Sequence, residues 1–482
     1  MDYPIVLRDS LCEEHDSFMQ TLTNDDLVEI TTTIYELLDN YFDEFMIQMC
    51  EPQFSQILIC QILDMLINDW QEIHTFDEDD KEELNTFIEN ALNDYLNLRK
   101  EWNSIIPLRS QKDDKSFSID MKELTNKINY LRSVIQPEQR TKEWYTFRHE
   151  LITASNLWKI FGTEAQYNSL IYEKCLPLKI DQENTNNTIN ILSPLHWGQK
   201  YEPLSVMIYE EKYKTKIEDF GCIQHDNYKF IGASPDGINV DKTNNKYGRM
   251  LEIKNIVNRE IDGIPSKAYW IQMQMQMETC DLDTCDFLET RFKEYENEEQ
   301  FYEEKREVKK GIILHFIERL SIGGGFQNIN EEDREEEIEP DDTNGGYLLS
   351  QQYSGKPNYI YMPLHYSLEK EDIEIWIDET RNKMRRSWSL YSVIYWHLDE
   401  YSCVLVERNK LWFQAAIPKI KDTWDIIVKE RKEGYEHRAT KKKVPKEELK
   451  VIHGAENNRI ITNLPKTGGI CLVKLDQEDK NS

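Results

Sequence analysis

The stretch GASPDGINV (Gly232–Val240), followed after a short polar segment by MLEIKN (Met250–Asn255), decides how this chain is read. Tyr228 to Val240 is expected to form one strand and Arg249 to Asn255 the next. The turn-rich residues Asp241 to Gly248 would join them as a hairpin with a longer loop. Successive side chains on a strand point to opposite faces, so Glu252 and Lys254 share a face while Ile253 points away. The apolar neighbours Met250, Leu251, Ile253 and Ile256 mark this strand as buried. A carboxylate and an ammonium on a buried face are costly unless they are paired or bound to a metal. The hairpin also brings Asp236 beside Glu252, and two neighbouring carboxylates repel each other unless a divalent cation lies between them.

Such an arrangement suits phosphodiester hydrolysis. Asp236 and Glu252, helped by the carbonyl of Ile253, would hold Mg2+, with Mn2+ able to substitute. The metal would polarise a phosphoryl oxygen and acidify a bound water. Lys254 would orient that water or help deprotonate it, and would stabilise the developing charge. The plainer alternative is a buried Glu–Lys ion pair beside a turn aspartate. D-x(n)-E-x-K is a loose pattern, and these residues alone leave both readings open.

Outward from this hairpin the chain changes character. Its 482 residues carry a net charge of −31, awkward for a protein that meets nucleic acid phosphates. Residues 1–135 hold −19 of that charge and residues 136–285 only −4, so most of the acid lies away from the hairpin. The first region reads as all-helical and acidic. Apolar residues recur at helical spacing over Leu27 to Met46 and Ile57 to Trp70, and Asp77–Asp80 opens an amphipathic stretch from Lys81 to Leu98. Met121 to Ile135 is a further helix candidate. The region carries no chemical motif and reads as a packing or partner-binding bundle. Residues 136–285 alternate β-rich and helical runs, as in an α/β layer fold. Residues 286–400 read as a charged insertion containing the acidic run Glu331–Glu337, with a strand over Tyr359 to Met362. Residues 401–435 read as a closing strand and helix of the core, and 436–482 as a tail. The segment Lys429 to Lys450, with nine Lys and Arg against five Glu, is locally basic.

Several motifs lie in order around the hairpin. These are EWYTFRHELITAS (Glu143–Ser155), LHWGQKYEP (Leu195–Pro203), ASPDG (Ala233–Gly237), LEIKN (Leu251–Asn255) and AYWIQMQMQME (Ala268–Glu278). Together they resemble the lambda exonuclease/YqaJ-type recombinase family of the PD-(D/E)XK nuclease superfamily, over about 140 residues from Arg140 to Thr279. The resemblance implies a restriction-endonuclease-like core, with a central mixed β-sheet flanked by helices. It also implies roles, position by position. Glu202 would complete the metal site from a core helix. Asp226 would assist a metal or its water. Gln272 would be an active-site glutamine, with Gln274 two positions on. Arg148, Ser155 and Ser234 would hold a 5′-terminal phosphate, a task that a guanidinium fork and two hydroxyls suit. Plainer roles exist for the last three: Ser234 as a turn cap, Ser155 as a helix cap and Arg148 as an ion-pair partner. Strict Gln/Met alternation from Gln272 to Met277 suits a strand, yet Gln272 and Gln276 also share a helical face. Only the resemblance selects a helix.

The expected activity is therefore a magnesium-dependent deoxyribonuclease, a 5′-to-3′ exonuclease on double-stranded DNA with free ends, serving recombination or end processing. Alternatives are a structure-specific endonuclease on the same core and a catalytically silent DNA-binding or assembly protein. The family also brings in a single-strand annealing protein as partner by analogy, and a homo-oligomer as an open possibility. The nine cysteines form no C-x-x-C pair, nor a set flanking the core that would hold an iron–sulfur cluster. The longest apolar run, Phe54 to Ile67, is interrupted by polar residues and too short to span a bilayer. No signal peptide is evident, so a soluble, intracellular protein without membrane partners is expected. The Asn-, Ile- and Lys-rich usage resembles large DNA viruses of eukaryotes, for which host cytoplasm or a viral factory would be the compartment.

Overall fold

A computed structural model describes residues 18–71, 74–101, 120–137, 141–178, 193–318 and 357–439. The N-terminal region is all-helical, as expected. Helices α1 (Phe18–Thr21), α2 (Asn24–Phe45), α3 (Phe54–Trp70) and α4 (Glu78–Glu101) bury Ile34, Leu38, Leu58, Ile62, Leu84 and Ile88 in a common core. Thr23 starts α2 with a reciprocal cap: its hydroxyl accepts from the Asp26 amide, and the Asp26 carboxylate accepts from the Thr23 amide at 2.8 Å. A 3-10 turn, Met46–Cys50, docks this bundle on the rest of the molecule. There Trp412 Nε1 donates to the Ile47 carbonyl at 3.0 Å, and Lys267 pairs with Glu51.

Helices α5 (Met121–Ser133) and α6 (Lys142–His149) lead into a small sheet of β1 (Ile152–Thr153), β3 (Ile223–Gln224) and β4 (Ile231–Ala233). Its order is β1-β4-β3, with β1 parallel and β3 antiparallel to β4. Between them come α7 (Ala154–Leu157), α8 (Glu164–Cys175), α9 (Pro194–Tyr213) and β2 (Ile217–Glu218). The main sheet has seven strands in the order β2-β5-β6-β7-β10-β8-β9. Its members after β2 are β5 (Gly237–Asn239), β6 (Met250–Asn255), β7 (Thr284–Glu294), β8 (Lys310–Glu318), β9 (Asn358–Tyr361) and β10 (Trp388–Glu407). All neighbours are antiparallel except β6 and β7, which run parallel with α10 (Lys267–Cys280) as their crossover. Helices α11 (Glu298–Glu303), α12 (Lys370–Met384) and α13 (Lys410–Glu433) complete the described chain. The architecture is thus the expected α/β fold, a mixed sheet flanked by helices.

Three sequence expectations change. The strand foreseen over Tyr228 to Val240 is broken at Ser234–Asp236, and its halves join different sheets. Pro235 has no N–H to give a ladder, so it sits at the break. Gly237 then lies so close to the edge strand that a Cβ there would meet Ile217 Cγ2 at 2.2 Å. The hairpin itself forms as read: Asn239 and Gly248 close it with backbone bonds, and Gly248 takes φ +78°. Second, the range 286–400, read as a charged insertion, contains most of β7, all of β8 and β9, and the first half of β10. Its acidic run Glu331–Glu337 lies outside the described residues. Third, the closing strand expected from Tyr401 begins at Trp388 and is twenty residues long, pairing with β8 and then with β7. Most of the tail, from residue 440, also lies outside the described residues. Among the described residues no helix is long and apolar enough to cross a membrane.

Candidate active site

The site grows out of the β5–β6 hairpin. β6 alternates as the sequence pattern requires. Leu251 and Ile253 pack with Tyr209 of α9 and Leu288 of β7 on one face, while Glu252 and Lys254 look to the other, beneath α10. Asp236, at the turn into β5, accepts the amide of Ile253 at 2.7 Å. This bond ties the aspartate to the strand that carries Glu252 and Lys254. Glu252 is fully buried. Its Oε1 accepts from Lys254 Nζ and, at 2.7 Å, from Gln272 Nε2; its Oε2 accepts from Gln276 Nε2 at 2.7 Å.

Electrostatics follow from this crowding. Burial and the negative charge of Glu252 push the Asp236 carboxyl well above the usual range, with Glu202 adding to the effect and Lys254 opposing it. Burial presses on Lys254, but the charges of Glu252 and Asp236 outweigh it and raise the ammonium above its ordinary value. The Lys254 ammonium also lies 4.8 Å over the ring of Tyr269. The chain thus gathers negative charge at one point and supplies one neighbouring cation. Among the described residues no three His, Cys, Asp or Glu side chains converge as a ready-made metal cage. The donor set is instead a two-carboxylate nucleus, Asp236 and Glu252, with Glu202 close enough to raise Asp236. That fits a hard divalent cation such as Mg2+, which takes one or two carboxylates and keeps several waters.

The other expected residues divide. Glu202 lies on α9 with an exposed side chain and acts on Asp236 through its charge. Arg148 and Ser234 meet: Arg148 Nη1 donates to Ser234 Oγ at 3.0 Å, and its guanidinium lies 4.6 Å over Trp144. Ser155 is exposed on α7, 3.4 Å from Thr153 Oγ1, and no described contact joins it to Arg148 or Ser234. The β1–β4 register sets Thr153 beside Gly232, so both chains leave the small sheet at the same end, with Ser155 and Ser234 each two residues further on. Asp226 is not brought to the carboxylates by any described contact. It accepts from Tyr130 Oη at 2.6 Å and faces Lys229 at 3.9 Å. Gln274 joins elements instead: it donates to the Glu407 carbonyl at 2.9 Å and accepts the Asn409 amide at 2.6 Å.

Gln276 is the site residue that sequence reasoning passed over, although the signal was present. Gln272 and Gln276 are four apart, hence on one helical face, and both reach Glu252 once the segment is a helix. Beyond Glu252, Gln276 donates to the Ser234 carbonyl at 3.2 Å. It therefore links the carboxylate nucleus to the turn that presents Ser234 to Arg148.

Known proteins share similarity with parts of this chain. A protein of Acanthamoeba polyphaga mimivirus is 28% identical over 330 residues, 63% of this chain and 54% of that protein. The chain spans about half the length of this curated relative. Among solved structures, an alkaline exonuclease (LHK-Exo) from Laribacter hongkongensis is 17% identical with a TM-score of 0.30, over 62% of this chain and 95% of that one. The same enzyme in complex with dAMP scores 0.29. The family model described as the YqaJ-like viral recombinase domain matches residues 143–283, which contain every motif quoted above and both carboxylates of the hairpin. Over residues 143–283 the chain is therefore similar to the YqaJ-like viral recombinase domain.

Proposed function

We propose that this protein is a magnesium-dependent DNA nuclease that digests linear double-stranded DNA from 5′ ends, in recombination or end processing. The observation that carries the reading is the joining of Asp236, Glu252 and Lys254 on one hairpin, with Gln272 and Gln276 gripping Glu252 from above. A metal held by Asp236, Glu252, Glu202 and the Ile253 carbonyl would supply Lewis acidity and an acidified water. The chain's own residues do the rest. Lys254, kept protonated by its carboxylate neighbours, donates to a phosphoryl oxygen and offsets charge as the phosphorus becomes five-coordinate. Gln272 and Gln276 fix the rotamer of Glu252, so the carboxylate needs no reorganisation during reaction. Arg148 and Ser234 would take a terminal 5′-phosphate, which sets the scissile bond at a fixed distance from the chain end. That is the basis for 5′-to-3′ polarity.

The test is cleavage with Mg2+ of linear duplex, nicked circle and closed circle, with wild type beside Glu252→Ala and Lys254→Ala. Loss of linear duplex alone, abolished in both variants while DNA binding persists, is the expected result. Cutting of closed circles would replace the exonuclease reading by an endonuclease on the same residues. Unchanged turnover in Lys254→Ala would overturn its assignment.

A further inference from the structure

Beside the site lies an ion pair that this nuclease reading does not use. Glu289 of β7 is fully buried, and its register partner on β6 is Lys254, so the two side chains rise from the same face. One Glu289 oxygen accepts from Arg259 Nη2; the other, Oε2, is buried with no hydrogen-bond partner. Arg259 belongs to the loop 256–266 that connects β6 to α10, and its side chain is 41% exposed while that of Glu289 is not exposed at all. The guanidinium carbon lies 5.7 Å from the centre of the Tyr269 ring, the same ring that Lys254 faces at 4.8 Å. The backbone of Arg259 is held as well: Arg291 donates to its carbonyl, and Arg291 is paired with Glu400.

As a stabilising device this is poor chemistry. A buried carboxylate with one oxygen unsatisfied and a half-exposed partner loses more on desolvation than it regains, and an apolar residue at 289 would serve stability as well. As a device for aiming a guanidinium it makes sense. Arg carries five N–H donors, and the bonds described use one on Glu289 and one on the Glu260 carbonyl at 3.2 Å. The pair and the aromatic ring fix the plane of the fork, and its solvent-facing edge lies on the side of the sheet that carries Lys254.

We infer that Arg259, aimed by Glu289 and braced on Tyr269, binds a backbone phosphate of the DNA strand next to the one cleaved, and that Glu289 is its positioning residue. The inference rests on the nuclease reading for its substrate, but it concerns binding and is tested as binding. The protein is the full chain with Asp236→Asn to block cleavage, and the probe is a 5′-phosphorylated, fluorescently labelled linear duplex titrated at several KCl concentrations. Each phosphate contact contributes about one unit to the slope of log affinity against log salt. Arg259→Gln is expected to weaken binding about tenfold at low salt and to reduce that slope by about one. Glu289→Gln should give a smaller loss of affinity, and Arg259→Lys should not restore the wild-type value, since an ammonium lacks the fork. Arg259→Gln leaves Glu289 buried without a counter-charge, so the paired variant Arg259→Met with Glu289→Gln controls for folding. It should match Arg259→Gln in slope.

An unchanged slope in Arg259→Gln and in the paired variant, with wild-type cleavage intact, overturns the inference and leaves the nuclease reading standing. A reduced slope in a protein whose wild type cuts nothing keeps Arg259 as a DNA contact and removes the nuclease reading. Absence of any duplex binding overturns both.

Discussion

Gln276→Met separates what holds the fold from what holds the Glu252 carboxylate. Methionine keeps the length and flexibility of the glutamine and removes its amide. Two bonds are lost. The one to Glu252 Oε2, at 2.7 Å, involves a charged acceptor and is worth about 1.5–3 kcal/mol; the one to the Ser234 carbonyl, at 3.2 Å, is worth about 1 kcal/mol. Against this, the Gln276 carbonyl oxygen is buried without a partner, and deleting it relieves about 1–3 kcal/mol of desolvation cost. The terms partly offset, so the unfolding midpoint in urea should correspond to a loss of no more than about 3 kcal/mol. Activity has no such compensation. Glu252 keeps Lys254 and Gln272 on one oxygen but loses its described anchor on the other, and should turn. Losing an outer partner of a metal-binding carboxylate costs about ten- to hundredfold in metal affinity or turnover. The assay is linear-duplex digestion over a Mg2+ titration, beside the urea curve. Turnover and Mg2+ requirement within about twofold of wild type would refute the claim that α10 orients Glu252.

Other expectations follow from the same geometry. Arg148→Ala should slow digestion of 5′-phosphorylated ends more than 5′-hydroxyl ends; equal slowing would remove the phosphate role from Arg148 and Ser234. Asp286, 1% exposed, accepts from Lys246 at 3.0 Å, Arg249 at 3.0 Å and Tyr209 at 2.6 Å, so Asp286→Ala strands two buried cations and should cost about 3–5 kcal/mol in denaturant unfolding. The Asp236 carboxyl is raised above its ordinary 3.8, so between that pH and its folded-state value the unfolded chain ionises first and this group disfavours folding. Asp236→Asn should therefore raise the melting temperature of chelator-treated protein near neutral pH. The gain should vanish toward about pH 4 and be offset by Mg2+, which stabilises only the wild type. A melting temperature independent of this substitution at neutral pH would contradict the crowding of charge.

The centre of the site was legible because its residues are neighbours in sequence. Period-two alternation alone puts Glu252 and Lys254 on one face, and the turn brings Asp236 beside them. Gln272 needed the resemblance, because Gln/Met alternation imitates a strand. Gln276 followed only once the helix was known. The outer half of the sheet was hidden for a different reason. β7 carries Asp286, Glu289 and Arg291 in its interior and so reads as a charged, solvated segment. Their partners Lys246, Arg249, Arg259 and Glu400 come from other parts of the chain, and only folding brings those charges together. Likewise Trp388 to Glu400 mixes aromatic and polar residues without a clean period, because β10 shifts register at Tyr391 and again at Asp399. A strand with two irregularities loses the alternation by which strands are recognised.

That long strand has a consequence for how the molecule yields. β10 is laced to β8 along its first half and to β7 along its second, and Trp396 and His397 belong to both ladders. The distal strands and those next to the candidate site therefore share a seam. An opening that begins at the β8–β9 edge reaches β7, the strand beside Glu252 and Lys254, without crossing a loop.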